Sequence, residues 1–185
     1  DMNYTSTRAD PDVWIRPAVK SDGTEYYEMV LIYVDDILHL SNDPKKTMKG
    51  LKDFYELKPD GIEEPTRYLG ANVSKYQLPD GRETWSMSAR DYIKNAVKNV
   101  EETLLKEGHQ KLKTKADRPT PFGYRPEIDV TPELNDEMGN RYQQLIGVLR
   151  WACELGRVDI LLEVAQLSSH AAMPREGHLE AVYHM

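Results

Sequence analysis

The first half of the chain alternates apolar and polar residues with the two-residue period of β-strands. β-forming residues become frequent from Tyr26 onward, and Asp35 and Asp36 interrupt an apolar run that resumes at Ile37. Two adjacent carboxylates are expensive to bury inside a strand, so they belong at a turn. The pattern predicts an antiparallel hairpin from Tyr26 to Ser41, with both carboxylates at or beside its turn and at least partly exposed.

A second alternating segment predicts a second hairpin. Apolar and polar residues alternate from Tyr68 to Ser74, and Pro79-Asp80-Gly81 has the composition of a turn. We therefore expect the first segment to pair with Thr84 to Met87.

Helices are predicted after both hairpins and again near the end of the chain. Asp43 and Pro44 have the residue types of a helix cap and first helical position, and Ser88 with Asp91 has the spacing of a capping box. Apolar residues recur at helical spacing from Asp136 to Met185. These features predict a helix after each hairpin and a helical subdomain at the end.

A polar, proline-rich segment separates the predicted sheet region from that subdomain. Pro119, Pro121, Pro126 and Pro132 disfavour both helix and central strand, which predicts an extended, unpacked connector over residues 111–135. The expected fold class is α+β. It comprises an antiparallel sheet with flanking helices over residues 1–110, the linker, and helices over residues 136–185.

Composition narrows the class of protein. A chain of 185 residues corresponds to about one domain, and its net charge of −7 argues against a free-standing nucleic-acid binder. The single cysteine, Cys153, excludes an internal disulfide and suits a reducing compartment. No apolar stretch reaches the length of a membrane span, so no membrane partner is expected. Because the chain starts at Asp1 and stops within a helical pattern, we expect a piece of a larger polypeptide.

The two adjacent aspartates carry the candidate chemistry. Mg²⁺ prefers oxygen ligands and is commonly held by one or two carboxylates together with substrate phosphates. Two such ions, roughly 3.5–4 Å apart, stabilise the attacking and leaving oxygens in phosphoryl transfer. The alternative is a hairpin whose turn happens to be rich in Asp, a common turn residue. Strand alternation directs nearby His39 away from Leu38 and Leu40, so we expect an ordinary half-exposed histidine.

Several motifs occur in an informative order. They are Asp10 to Trp14, Tyr33-Val34-Asp35-Asp36, Arg67 to Gly70, Tyr142 to Leu149, and Arg157 to Ile160. In this order they resemble the palm and following segments of reverse transcriptases from copia-type retrotransposons, and the resemblance covers almost the whole chain.

The resemblance implies a polymerase site. Asp35 and Asp36 would be its catalytic, metal-binding pair, with Mg²⁺ or Mn²⁺ as cofactor. Tyr33 and Val34 would face the primer terminus and the incoming nucleotide. Tyr68-Leu69-Gly70 would be the primer grip, where a glycine allows the backbone to approach the nucleic acid closely.

Some features of that family are absent or matched only loosely. Lys58 stands about where these polymerases place a lysine that assists the departing pyrophosphate, and the alternative is a solvated lysine at a helix end. The family's first catalytic aspartate and its nucleotide-binding fingers lie upstream of the residues present. Residues 1–110 would be a partial palm and thumb, and residues 136–185 would be a connection region leading toward a ribonuclease H domain.

The resulting expectation is a fragment of an RNA-directed DNA polymerase that is inactive alone. Its partners would be an RNA template, a DNA primer, deoxynucleoside triphosphates and the rest of the polyprotein, in a cytoplasmic virus-like particle or the nucleus. One alternative is a non-catalytic nucleic-acid-binding or interaction remnant of a decayed element. Another is a small metal-binding α+β module, which would not explain the downstream motifs.

Overall fold

The computed structural model describes residues 2–56, 62–113 and 115–185. Their contacts divide the chain into two compact units, Asp1–Leu69 and Gly70–Met185. The described residues form two antiparallel sheets and five α-helices, which confirms the predicted α+β class. The division into palm, connector and connection region stays a prediction. Within the described ranges, no helix has the length and apolar character needed to cross a membrane.

The first unit is built on a four-stranded antiparallel sheet whose strands follow chain order. The strands are β1 (Thr5–Ser6), β2 (Val13–Val19), β3 (Glu25–Tyr33) and β4 (Asp36–Leu40), and a short β5 (Arg67–Tyr68) ends the unit. Opposite residues in the register include Ile15 with Met29 and Val30 with His39. The predicted first hairpin, formed by β3 and β4, is therefore confirmed.

Helix α1 (Pro44–Lys52) follows the hairpin and starts where the sequence predicts. The Asp43 carboxylate accepts a hydrogen bond from the backbone N–H of Lys46 at 3.4 Å, and Pro44 occupies the first helical position. Thr47 and Met48 are buried, so this part of the helix faces the protein.

A buried carboxylate connects the strands of the first unit. Glu28 is 6% exposed and accepts hydrogen bonds from four side chains. The donors are Tyr4 (3.0 Å), Arg16 (2.7 Å), Tyr26 (3.0 Å) and Ser41 (2.5 Å). Burial alone would raise the pKa of Glu28, but the hydrogen bonds from these side chains lower it to about 2. The network joins residues before β1, within β2 and β3, and after β4.

We expect Glu28→Gln to lower the free energy of unfolding by about 3 kcal/mol at pH 7, because a neutral amide leaves Arg16 without its buried partner. The depressed pKa of Glu28 means that its contribution is fully present above the unfolded value of 4.5 and is lost as the pH falls toward about 2. The difference between wild type and variant should shrink over that window. Urea unfolding at several pH values measures it.

Glu25→Gln is the matched control, since Glu25 is exposed on the same strand. It should leave the stability nearly unchanged. Equal losses in the two variants would show that the Glu28 network does not hold the sheet.

The second unit opens with the second predicted hairpin, formed by β6 (Ala71–Gln77) and β7 (Glu83–Ser88). Val73 lies opposite Met87, and the turn is closed by a hydrogen bond from the N–H of Gly81 to the carbonyl of Leu78 at 2.9 Å. The pairing is confirmed, but the predicted continuous strand from Tyr68 is wrong. Leu69 and Gly70 both have positive φ, 50° and 87°, and this conformation interrupts the strand before Ala71.

Helix α2 (Arg90–Lys106) follows this hairpin, but the predicted capping box at its start is wrong. Ala89 is the N-cap residue and makes no side-chain capping bond, whereas Ser88 Oγ accepts a bond from the N–H of Arg90 at 3.3 Å. The Asp91 carboxylate instead accepts a hydrogen bond from Asn72 Nδ2 at 2.5 Å. A partner on the neighbouring strand thus takes the carboxylate that would have completed the box.

Helices follow where the sequence predicts them, within the second unit. They are α3 (Asp136–Glu154), α4 (Leu161–Ser168) and α5 (Glu176–His184). Tyr142 and Leu167 are fully buried among them, and the Tyr142 hydroxyl donates a hydrogen bond to the carbonyl of Leu167 at 2.6 Å. Buried side chains of α3, α4 and α5 form an apolar cluster, and Cys153, Ile160 and Val164 form a second one.

The proline-rich segment differs from the predicted extended connector, because its second half is packed against the helices. Pro126 is buried and begins a short 3₁₀ helix that ends at Ile128. The Asp129 carboxylate accepts hydrogen bonds from the Tyr124 hydroxyl at 2.6 Å and from the backbone of Thr131 at 2.8 Å. Arg175 donates to the carbonyl of Thr131 at 2.6 Å. The prolines exclude long helices and strands here, but they do not prevent side-chain packing.

We expect Gly177→Ala to destabilise the helical subdomain, because a Cβ atom at Gly177 would overlap the Asp129 carboxylate. Gly147→Ala is the matched control within a helix, since a Cβ atom there meets no atom within 4 Å. Alanine favours helix over glycine by roughly 1 kcal/mol, so the control should be neutral or stabilising. Thermal unfolding of both variants measures the contrast, and equal melting temperatures would contradict the close approach.

Candidate active site

The hairpin formed by β3 and β4 presents the two adjacent aspartates at its tip. Tyr33 and Asp36 are the last opposed pair, so Val34 and Asp35 form a two-residue loop. Asp35 and Asp36 are both exposed, as the sequence predicts. The hairpin itself therefore places two carboxylates next to each other in solvent.

The loop holds Val34 in an unfavourable conformation. Its φ is +51° and it is 84% exposed, so burial does not compensate for the strain. Gly, Asn and Asp are the usual residues at positive φ in two-residue hairpin loops, and a β-branched residue there is a genuine outlier. Such conformations cost about 1–3 kcal/mol and cluster at functional sites. The strain lies directly beside Asp35, which supports a functional role for the loop.

Strand alternation fixes which side chains share a face with the aspartates. Asp36 opposes Tyr33, and Leu31 opposes Leu38 on the same face of the sheet. His39 lies on the other face, where its Nε2 is 3.0 Å from the Tyr4 hydroxyl. Burial lowers the pKa of His39. This placement agrees with the expected half-exposed histidine, directed away from Leu38 and Leu40.

The two carboxylates have the chemistry of a divalent-cation site but do not complete one. Their oxygens are hard ligands of the kind that Mg²⁺ and Mn²⁺ prefer, and their exposure leaves room for a substrate phosphate. Among the residues that the structure describes, no group of three or more Asp, Glu, His or Cys side chains could hold a metal ion. Asp35 and Asp36 would therefore supply part of a site, with further ligands from elsewhere.

Tyr68, from the predicted primer grip, is linked to the aspartate pair by its electrostatics. The residue is 9% exposed in β5. Its pKa is raised, first by burial and second by the negative charge of Asp36. The first unit thus brings the Tyr68 hydroxyl within the electrostatic field of Asp36.

The other predicted site residues are less closely tied to the pair. Leu69, with its positive φ, ends the first unit, and Gly70 begins the second. A Cβ atom on Gly70 would lie 3.9 Å from both Trp151 and Tyr92. Lys58 lies outside the described residues. The nucleotide, primer and pyrophosphate roles of these residues stay predictions.

Sequence reasoning missed the Glu28 network behind the hairpin. One pattern could have revealed it, because alternation places Glu28 on the same strand face as the buried Val30. A carboxylate at a core position requires donors, and the register places Arg16 directly opposite.

One comparison with known proteins supports a transposon-related origin. The chain is 30% identical over 165 residues to a Saccharomyces cerevisiae protein named "Putative transposon Ty5-1 protein", a match that covers 87% of this chain. The match covers 47% of that relative, so the chain spans about half of its length. No protein-family model matches the chain. No solved structure matches it.

We expect Asp36→Asn to lower the pKa of Tyr68, because the Asp36 charge disfavours the tyrosinate. The value should stay above the ordinary 10.0, since burial is the larger cause. NMR titration of ring-labelled tyrosine measures it, and Asp35→Asn is the matched control with a smaller expected effect. An equal shift in both variants would contradict the specific pairing of Asp36 with Tyr68.

Proposed function

We propose that this chain is part of the palm of an RNA-directed DNA polymerase from a copia-type retrotransposon. One observation carries the proposal: Asp35 and Asp36 stand exposed at the tip of a two-residue hairpin loop. The similarity to a transposon protein over most of the chain supports the same assignment.

In this proposal the carboxylates of Asp35 and Asp36 bind Mg²⁺ or Mn²⁺. A bound ion would supply charge stabilisation for the attack of a primer 3′-hydroxyl on the α-phosphate of a deoxynucleoside triphosphate, with pyrophosphate as the leaving group. The side chain of Tyr33 shares a sheet face with Asp36, which suits it to position the primer terminus or the incoming nucleotide. The strained loop holds Asp35 and Val34 beside them.

Tyr68 fits the primer-grip role in this site. Its phenolic hydroxyl can donate a hydrogen bond to a nucleic acid strand, and burial with the charge of Asp36 raises its pKa further. The positive φ of Leu69 and Gly70 turns the backbone directly after Tyr68, and the glycine lacks a Cβ atom that would keep a nucleic acid strand away. The partners of the proposed polymerase site would be an RNA template and a DNA primer.

The site requires more protein than this chain supplies. The described residues offer two adjacent carboxylates and no larger metal-binding group, and the transposon relative is about twice as long as the matched region. We therefore assign the remaining metal carboxylate, the nucleotide-binding fingers and the ribonuclease H activity to other parts of the polyprotein. The fragment alone should not polymerise.

A non-catalytic nucleic-acid-binding or interaction remnant is the second candidate. The incomplete metal site among the described residues favours it for this chain taken by itself. An unrelated metal-binding module is less well supported, because it leaves the transposon similarity over 87% of the chain unexplained.

We expect Asp35→Asn to lower primer extension at least about 100-fold in a polymerase that contains this chain and its upstream portion. Loss of a metal carboxylate removes several kcal/mol of transition-state stabilisation, and each 1.36 kcal/mol is tenfold in rate. Primer extension on an RNA template with Mg²⁺ or Mn²⁺ measures the rate, with circular dichroism as the folding check.

Asp22→Asn is the matched control, because Asp22 lies in the loop that joins β2 to β3, at the other end of β3. This variant should retain the wild-type rate. If Asp35→Asn also retains it, the hairpin tip is only a turn and the second candidate function gains support.

A further inference from the structure

Strand β7 (Glu83–Ser88) is the last strand of its sheet and has an open edge. It pairs with β6 on one side only. In the described parts of the chain, no strand pairs with its other side. An edge of this kind offers a row of backbone N–H and C=O groups to a further strand.

The hydrogen bonds of the hairpin identify which backbone groups point outward. The N–H of Leu78 donates to the carbonyl of Arg82 at 2.8 Å, so Arg82 directs its carbonyl toward β6. The direction alternates from one residue to the next along an antiparallel strand. The backbone groups of Ser86 therefore also face β6, whereas those of Trp85 and Met87 point to the open edge.

The edge of β7 lacks the features that usually prevent two edges from pairing. Such features are charged side chains, prolines and β-bulges. The segment from Thr84 to Ser88 contains no charged residue and no proline, and β7 pairs one-to-one with β6 along its length. Trp85 and Met87 share one face of the strand and are 45% and 51% exposed. A further strand can therefore add to this edge.

The side chains of β7 are complementary to a reversed copy of the same strand. With Ser86 opposite its own copy, Trp85 lies opposite Met87 and Thr84 lies opposite Ser88. A methionine sulfur makes a favourable contact with an aromatic ring, and opposed hydroxyl side chains also form favourable pairs. A two-fold axis at Ser86 thus gives each of these side chains a suitable partner.

Backbone geometry favours the same register. Because Trp85 and Met87 both carry outward groups, each opposed Trp85–Met87 pair can exchange two hydrogen bonds. An axis at Trp85 would also satisfy the backbone, but it would place Met87 opposite the charged side chain of Glu83. The register centred on Ser86 satisfies the backbone and the side chains together.

We propose that two copies of this protein associate through their β7 edges, antiparallel, with Ser86 at the two-fold axis. The arrangement is closed, since each copy uses its one β7 edge. A single pair of short strands buries less area than a standard interface, so the dimer is weak and reversible. The pairing does not depend on the proposed polymerase function.

Analytical ultracentrifugation of the 185-residue chain tests the proposal. A reversible equilibrium between monomer and dimer is expected, with the dimer fraction rising with protein concentration. A chain that stays monomeric up to about 1 mM would overturn the proposal. Oligomers that grow beyond the dimer would also overturn it, because a closed pair leaves no β7 edge open.

A charge on the edge should weaken the dimer. Met87→Lys should raise the dissociation constant at least about tenfold, because it places an ammonium group opposite Trp85 of the second copy. Tyr76→Lys is the matched control, since Tyr76 is 56% exposed on β6, away from the edge. It should leave the dimer unchanged, with circular dichroism as the folding check. Equal weakening in both variants would reduce the effect to net charge and overturn the pairing.

Disulfide trapping tests the register without a disruptive substitution. Ser86 and its copy form a non-hydrogen-bonded pair with Cα atoms about 4.5 Å apart, within the range of a disulfide, so Ser86→Cys should yield a covalent dimer under mild oxidation. Thr84→Cys is the matched control, because its copy lies roughly 14 Å away at 3.4 Å per residue. Cys153 is buried and common to both variants. No trapping with Ser86→Cys, or equal trapping with Thr84→Cys, would overturn the proposed pairing.

Discussion

The buried carboxylate of Glu28 is the constraint on which the first unit depends. Four donors from the segments around β1, β2, β3 and β4 converge on it, so a shift of any one strand leaves a buried charge without its partners. A one-residue slip of β3 would also move Glu28 to the exposed face. The network therefore fixes the register of β3 against β4. That register determines which two residues, Val34 and Asp35, form the loop.

The fixed register of β3 against β4 explains how the hairpin tolerates Val34, a β-branched residue, in its loop. Val34 at φ +51° disfavours the two-residue loop, and a looser hairpin would relax by shifting its pairing. The hydrogen bonds of Glu28 and the opposed apolar pairs of β3 and β4 oppose that shift. These hydrogen bonds and apolar pairs therefore keep Val34 in its strained conformation at the tip of the hairpin. The fixed register holds Asp35 and Asp36 at the tip of the hairpin, as the proposed metal-binding role requires.

The sequence predicts those features that depend on local periodicity and turn chemistry. Both hairpins, the start of α1 at Asp43 and the final helices follow from such patterns. Partners distant in the chain were not predictable: Asn72 takes the carboxylate of Asp91, and Arg175 reaches the carbonyl of Thr131. The sequence also does not predict the break in the strand at Leu69. A leucine with positive φ does not change the alternation of apolar and polar residues. For the site, the sequence predicts the aspartate pair but not the electrostatic effect of Asp36 on Tyr68, because the two residues are distant in the chain.

Electrostatics connect the geometry of the hairpin to the proposed chemistry. The chain carries a net charge of −7, and the hairpin tip adds two exposed carboxylates where a primer and a triphosphate would have to approach. Without a counter-ion these charges repel phosphate, so the tip suits nucleic acid only when divalent cations are bound between them. The protonated hydroxyl of Tyr68 adds a neutral donor rather than a further negative charge. A palm role for this hairpin thus requires metal for substrate approach as well as for the chemical step.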